Sequence, residues 1–195
     1  DRDLRTADQQ YQHHGRWQQD STYGSLWTPT TVPAGWAPYR MGHWVWVRPW
    51  GWTWVDDAPW GFAVSHYGRW TNMRGTWGWV PGPVRTQAYY APALVAFVGG
   101  ANFQLTIGSG NVGGMAWFPL GPREVYRPAY AVSRGYFERV NTSNTIVNNT
   151  VINNYYNNSN VTNVVYANRQ VPGAVVAVPT TAFVQSQSVG RAAVQ

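Results

Sequence analysis

The adjacent acids Asp56-Asp57, followed by Ala58-Pro59, and the pair Arg123-Glu124 are where this sequence comes nearest to acid–base chemistry. Such chemistry needs a nucleophile beside a base, paired carboxylates at a working separation, or a metal cluster. Two neighbouring Asp supply too few oxygens for a calcium loop. Their setting is that of a tight turn, in which Asp carboxylates bond nearby backbone amides and Pro presets its own φ. Arg123-Glu124 has the form of a structural ion pair. His43, directly after Gly42, and His66, two residues before Gly68, occupy similar places in a repeat. Histidines at strand edges beside tryptophan need no metal to explain them. Gly108, Gly110, Gly113 and Gly114 have the composition of a phosphate loop, yet no Lys-Ser/Thr follows, so they read as turn glycines. The chain has no cysteine, which removes disulfides and thiolate metal sites. No catalytic, cofactor-binding or metal residue is expected, and no enzyme.

Stacking chemistry is better supplied. Trp44, Trp46, Trp52, Trp54, Trp70, Trp77 and Trp79 could form an aromatic platform on which the apolar faces of sugars stack. Against this, rings of this size are costly to leave in water and commonly become core or cross-strand pairs.

The elements that would hold these rings come from a repeat. Gly15-Arg16-Trp17, Gly42-His43-Trp44 and Gly68-Arg69-Trp70 open units spaced 27 and 26 residues apart. Each is followed by a second aromatic run, Gly24-Ser25-Leu26-Trp27, Trp50-Gly51-Trp52-Thr53-Trp54 and Trp77-Gly78-Trp79, and a fixed period of this length marks a repeated supersecondary unit. Trp44 and Trp46 alternate with Val45 and Val47, the period of a strand, and the Pro/Gly break before Trp52 is a hairpin signal. Three tandem antiparallel hairpins follow. Aromatics make up 16% of the chain and charged residues 11%, with 20 Gly and 13 Pro, an all-β composition. The expected fold is therefore all-β: Trp-rich hairpins forming a barrel or sandwich, with an Asn-rich extended β tail.

Three units are expected. Residues 1–14 are a polar lead-in with a short helix over Leu4 to Gln12. Residues 15–140 form the Trp/Gly-rich β domain. Beyond its hairpins, Tyr89 to Val98, Phe103 to Ile107 and Met115 to Leu120 look like further strands joined by glycine turns, and Ala131 to Arg139 like a short helix. Residues 141–195 are an Asn-rich β tract with an apolar arm. Within it Thr145-Ile146-Val147-Asn148-Asn149 is echoed by Thr150-Val151-Ile152-Asn153-Asn154, and no charge falls between Asn141 and Asn168. Such tracts favour β-stacking with laddered side-chain amides. The expected self-association residues are Asn148, Asn149, Asn153, Asn154, Tyr155, Tyr156, Asn157, Val175 and Val176.

All 14 basic residues are arginine, for a net charge of +6. Guanidinium planes stack on aromatic rings, which accounts for part of that charge without a polyanion. The arginines are scattered, and with no basic run or nucleic-acid motif a nucleic-acid partner is not expected. No apolar run is long enough for a transmembrane span. The chain starts at Asp1 with no signal-like segment, which points to a processed product or part of something longer.

Val32-Pro33-Ala34-Gly35-Trp36-Ala37-Pro38-Tyr39-Arg40, the run from Pro49 to Phe62, and Trp117-Phe118-Pro119-Leu120-Gly121-Pro122-Arg123-Glu124-Val125-Tyr126 resemble an uncharacterised bacterial family of Trp/Gly-rich exported proteins, usually found downstream of a FecR-like domain. The resemblance covers nearly the whole chain. It implies bacterial origin and export, and carries no activity, cofactor or catalytic residue.

Taken together, these features predict a non-enzymatic extracellular or cell-envelope structural protein that binds copies of itself in an ordered assembly, a filament being one form. The alternative is a module for cell-wall or exopolysaccharide glycan.

Overall fold

The computed structural model describes residues 13–83, 87–98, 105–107, 112–128, 131–157 and 164–193. The three hairpins stand where the repeat places them. β1 (Gly15–Asp20) pairs with β2 (Gly24–Pro29), β3 (Gly42–Val47) with β4 (Gly51–Asp56), and β5 (Arg69–Met73) with β6 (Thr76–Val80). Between the second and third lies the short helix α1 (Gly61–His66).

Register explains the repeat. In every hairpin a tryptophan of the opening strand faces one of the returning strand: Trp17 opposite Trp27, Trp44 opposite Trp54, Trp70 opposite Trp79. The glycine that opens each unit sits under the returning ring. A side chain at Gly15 would strike Trp27, one at Gly42 would strike Trp54, and a methyl at Gly68 would lie 2.7 Å from Trp79 Nε1. The phrase Gly-x-Trp is thus a packing rule, with the bare Cα making room for the indole across the ladder. The third hairpin closes through Arg74 and Gly75, at φ 55° and 87°, the two positive-φ positions of a type I′ turn.

The first and third hairpins join through Trp27 opposite Trp79 into a sheet ordered β1-β2-β6-β5, while β3 and β4 remain a separate two-stranded ribbon. A third sheet is built on β9 (Val112–Pro119), flanked by β7 (Val95–Phe97), β8 (Leu105–Ile107) and β10 (Val176–Pro179). No sheet closes on itself, so the expected barrel gives way to a mixed structure dominated by hairpins. Tryptophan edges lock the elements together: Trp44 meets Trp54 at 5.4 Å, Trp117 at 5.3 Å and Phe183 at 5.1 Å. Trp60 bridges Trp27 at 5.1 Å and Trp36 at 5.8 Å. All of these but the tilted Trp44–Phe183 pair meet edge to face, an arrangement that adds about 0.5–1.5 kcal/mol per pair beyond burial.

The tail corrects the expectation of extended β structure. The helix anticipated over Ala131 to Arg139 is α2 (Arg134–Thr142), shifted because Ser133 is its cap and accepts a 3.1 Å hydrogen bond from Tyr136 N. The Asn-rich tract then forms a second helix, α3 (Asn149–Asn157). Asn148 Oδ1 accepts from Thr150 N at 2.7 Å, a local bond that starts the helix. Ile152 and Tyr155, three apart, share a helical face and meet Val125, Val132 and Phe137. Tertiary burial overrides β propensity here. A 3₁₀ turn (Asn168–Gln170), β10 and the short helices α4 (Thr180–Val184) and α5 (Val189–Ala192) complete the chain. The helix expected over Leu4 to Gln12 lies outside the described residues.

The tail is stapled to the hairpins by buried amides. Arg69, 2% exposed, donates from Nε and Nη2 to the Glu124 carbonyl at 3.2 and 2.9 Å, from Nη1 to the Gly68 carbonyl at 3.0 Å and from Nη2 to Asn141 Oδ1 at 3.3 Å. Asn141 also closes on Tyr126, accepting from its N–H at 2.7 Å and donating to its carbonyl at 3.1 Å. Asn144 Oδ1 accepts from Gly68 N at 3.0 Å, and Asn168 Nδ2 donates to the Trp70 and Pro119 carbonyls at 2.8 and 3.1 Å. Three asparagines thus grip Gly68-Arg69-Trp70, the opening of the third repeat.

Three outcomes follow. Gly42→Ala, which drives a methyl into the Trp54 ring, is expected to cost about 1–3 kcal/mol in urea unfolding, the usual toll of overpacking. Deletion of residues 141–195 is expected to leave an insoluble or unfolded chain by near-UV circular dichroism. Asn148→Asp with Asn153→Asp is expected to be neutral or mildly stabilising. The first substitution keeps an acceptor at a helix start, where negative charge is favoured, and the second faces Arg134 Nη2 at 3.0 Å.

Candidate functional site

The groups capable of chemistry are occupied by structure. Asp56, at the end of β4, accepts from Trp54 Nε1 at 2.9 Å and from Ala58 N at 3.0 Å. Burial pushes its pKa above the usual carboxylate value in spite of both bonds. Asp57 is exposed, and its backbone N–H donates to the Met41 carbonyl at 3.0 Å. Glu124 departs from the expected partnership with Arg123: its Oε1 accepts from Gly121 N at 2.7 Å and its Oε2 from Ala167 N at 2.8 Å, tying a turn to the tail. Arg123 N donates to Thr145 Oγ1 at 2.7 Å. His43 is half-buried on β3, whereas His66 is buried at the end of α1, so the two are not structural equivalents. Gly113 and Gly114 are paired residues of β9, and Gly108 and Gly110 lie outside the described residues.

Arg69 is a fully buried cation. Burial pulls its pKa down to about 10, with Tyr39, Glu124 and Tyr126 opposing the fall, so the guanidinium stays charged at neutral pH. Tyr39 is itself buried, holds φ at 61° and donates its hydroxyl to the Ser65 carbonyl at 2.8 Å. Burial raises its phenol pKa. These are anchors of the core.

The aromatic platform is taken apart by the fold. Trp44, Trp54, Trp70, Trp77 and Trp79 are buried. The indoles of Trp70 and Trp79 donate to the Val64 and Tyr67 carbonyls at 3.0 and 2.8 Å. Of the seven, Trp52 is half-buried and Trp46 is 60% exposed, the two meeting edge to face at 5.5 Å near the tip of the β3–β4 ribbon. All four ribbon tryptophans lie on one face, which runs from core to solvent. The opposite face carries Met41, Val47 and Val55, all exposed, with His43 and Val45 half-buried and Thr53 buried among them.

The self-association residues are also dispersed. Asn148, Asn149, Asn153, Asn154, Tyr156 and Asn157 are exposed around α3, but Tyr156 packs on Phe137 at 5.4 Å and lies under Arg134. Tyr155 is half-buried beneath Arg127. Val176 is buried against β9 while Val175 faces outward. These side chains form no amide ladder, because a helix points successive residues around its axis.

A partly exposed aromatic strip escapes the sequence reading. Phe62, 64% exposed, lies 6.2 Å from Tyr90, which stacks on His66 at 4.7 Å and meets Trp50 at 4.9 Å; Trp50 in turn meets Tyr136 at 5.9 Å. Pro49, Trp50, Val132, Ser133 and Tyr136 line a shallow groove at its end. The strip joins a hairpin loop, α1, a loop before β7 and α2, and no spacing in the chain announces it.

His66 supplies a pH test. Its Nδ1 lies 2.7 Å from the Ala91 carbonyl, so that nitrogen carries the proton, and burial holds the pKa below the ordinary 6.5. The folded state therefore binds a proton less readily than the unfolded chain. Its contribution to stability is complete above pH 6.5 and is lost as pH falls from there toward the depressed folded pKa. Unfolding midpoints measured down to pH 5 are expected to drop, by at most about 1.4 kcal/mol per pH unit for one proton. His66→Asn, which keeps a donor toward Ala91, is expected to flatten that portion of the profile.

Among the described residues no helix is long and apolar enough to cross a membrane, and no group of three or more His, Cys, Asp or Glu is placed to hold a metal. No curated protein and no solved structure matches the chain. A family model does match, over residues 8–124, a span that takes in all three hairpins and runs through β9 to Glu124. The chain belongs to that family, DUF6600, a family of unknown function.

Proposed function

We propose that this chain is a non-enzymatic structural protein, exported to the extracellular space or cell envelope, that works by associating with copies of itself. The observation that carries this is the β3–β4 ribbon. A hairpin with one face in the core ordinarily turns polar residues to water, yet here the outer face shows water the apolar side chains of Met41, Val47 and Val55, with His43 and Val45 half-buried and Thr53 buried between them. With Trp46 near its tip, the ribbon exposes apolar side chains on both sides. Exposed apolar side chains grouped on one ribbon mark a contact site, and a two-stranded ribbon leaves strand edge suited to pairing, the β4 edge being taken at Trp54 N by the Pro92 carbonyl. An identical ribbon is a self-complementary partner for a two-fold contact. The placement outside the cell rests on the family resemblance of the sequence.

The glycan alternative moves to a different surface. With five of the seven rings buried, what favours it is the Phe62–Tyr90–Trp50–Tyr136 strip and its groove.

Sedimentation velocity over a concentration series separates the two. Wild-type chain is expected to associate reversibly, and Val47→Thr with Val55→Thr to weaken association at least tenfold. Both substitutions keep β-branching at exposed sites, so stability should move by no more than about 0.5 kcal/mol. A monomer at every concentration, with tryptophan fluorescence quenched by soluble polysaccharide, would favour the glycan module.

A further inference from the structure

We infer that the C-terminal arm, from Ala174 through α5, is exchangeable between copies: two chains trade arms, so that β10 and α4 of one seat on β9 and β3 of the other. This rests on the self-association proposed above, the ribbon serving as the encounter and the traded arm as the lock.

The arm behaves as a separate plug. β10 lies antiparallel on β9, from Val176 opposite Trp117 to Pro179 opposite Gly114, on the side away from β7. Phe183 on α4 enters the tryptophan core, 5.1 Å from Trp44 and 4.9 Å from Trp52, and Val178 and Val189 are buried with it. The seat left by a departing arm would expose Trp44 and Trp117, so only a segment with these side chains in this register can fill it. A second copy carries that segment.

The seam is also where polar satisfaction fails. Among the described residues, three buried side-chain atoms make no hydrogen bond: Arg40 Nε, Trp44 Nε1 and Thr180 Oγ1. All three lie along the docked arm. Arg40 donates from Nη2 to the Gly173 carbonyl at 2.8 Å, Trp44 packs on Phe183, and Thr180 opens α4. Buried polar groups left unpaired weaken the joint that contains them. Just upstream the chain is firmly held, since Asn168 is bonded to the Trp70 and Pro119 carbonyls. Between anchor and plug stands only the turn Val171-Pro172-Gly173-Ala174, with Pro172 and Gly173 exposed and Gly173 at φ 80°. A fixed anchor, a short Pro-Gly hinge and a core-filling plug are the parts from which domain exchange is built. Exchange restores the contacts of the arm in its seat, the turn bond from Ala174 N to the Val171 carbonyl being given up as the hinge opens, so concentration shifts the balance between the two forms.

The absence of cysteine makes the test clean. Ala116 and Ala177 are cross-strand partners, and directly opposed residues of an antiparallel pair fall within disulfide reach. Folded Ala116→Cys chain is mixed with folded Ala177→Cys chain and oxidised. A disulfide-linked pair joining the two variants is expected on a non-reducing gel, increasing with concentration. The double variant in one chain, oxidised when dilute, is expected to close internally and thereafter to form no linked pairs. Met115→Cys with Val178→Cys supplies a second register pair should the first not close within one chain. If wild type associates by sedimentation while no register pair that closes within a chain links across chains, exchange is overturned and self-association stands. If wild type remains monomeric and no link forms, both fall.

Discussion

A charged guanidinium sealed inside the molecule, held without a carboxylate among its hydrogen-bond acceptors, sets the terms for the rest of this structure. Arg69 is held by the Glu124 and Gly68 carbonyls and the Asn141 amide oxygen. Burying a cation is tolerable only when each donor is answered. Carbonyls and an amide answer it only if three separate stretches of chain converge. That convergence brings α2 against the third hairpin, and α2 in turn provides the surface that Ile152 of α3 covers. The neighbouring Asn144 and Asn168 extend the same solution to Gly68 N and the Trp70 carbonyl, so the polar backbone at the head of the third repeat is satisfied by side chains remote in sequence.

The hairpins were legible because two signals coincide in them. The alternation Trp44-Val45-Trp46-Val47 states the strand period, and Gly-x-Trp at 27 and 26 residues states the repeat. Both are local, and the register that follows puts Trp opposite Trp in every unit. Closure into a barrel was not legible, since strand count and period say nothing about which edges meet. The sheet order β1-β2-β6-β5 turns on one contact, Trp27 opposite Trp79, between hairpins separated by the whole second repeat. The Asn-rich tract misleads for a different reason. Thr-Val-Ile-Asn-Asn satisfies a strand pattern by composition, while Ile152 and Tyr155 satisfy a helical one by spacing, and only the presence of Val125 and Phe137 decides between them.

The candidate surface was half legible. Of the seven platform tryptophans, alternation correctly groups four: Trp44, Trp46, Trp52 and Trp54 share one side of the ribbon, while Trp70, Trp77 and Trp79 belong to the third hairpin. Alternation cannot say which side is inside when Val45 and Val47 fill the other. The core takes the larger rings, which have more surface to remove from water, and the valines are left outside. The exposure of Val47 and Val55 is therefore readable as a pattern but assignable to solvent only once Trp117 and Phe183 are seen to pack against Trp44.

The limits of the family match sharpen this picture. The matched region ends at Glu124, while the groups that complete its buried polar bonds, Asn141, Asn144 and Asn168, and the ring that fills its core, Phe183, all lie beyond it. In this chain the hairpin region is accordingly not self-sufficient: stripped of the later residues it would hold an under-bonded buried cation at Arg69 and open tryptophan faces at Trp44 and Trp117. The two deficits differ in kind. The polar one is answered by short, directional bonds that tie residues 141 and 168 to fixed atoms, while the apolar one is answered by an arm that enters from the edge of β9 and leaves Trp44 Nε1 and Thr180 Oγ1 unbonded. Hydrogen bonds specify a partner atom; apolar burial specifies only shape and water exclusion. The stapled segment is fixed atom by atom, whereas the arm is held by its ladder on β9 and by the fit of Phe183 into the core, and it is at such a seat, beside a ribbon with exposed valines, that two copies of one sequence have a surface in common.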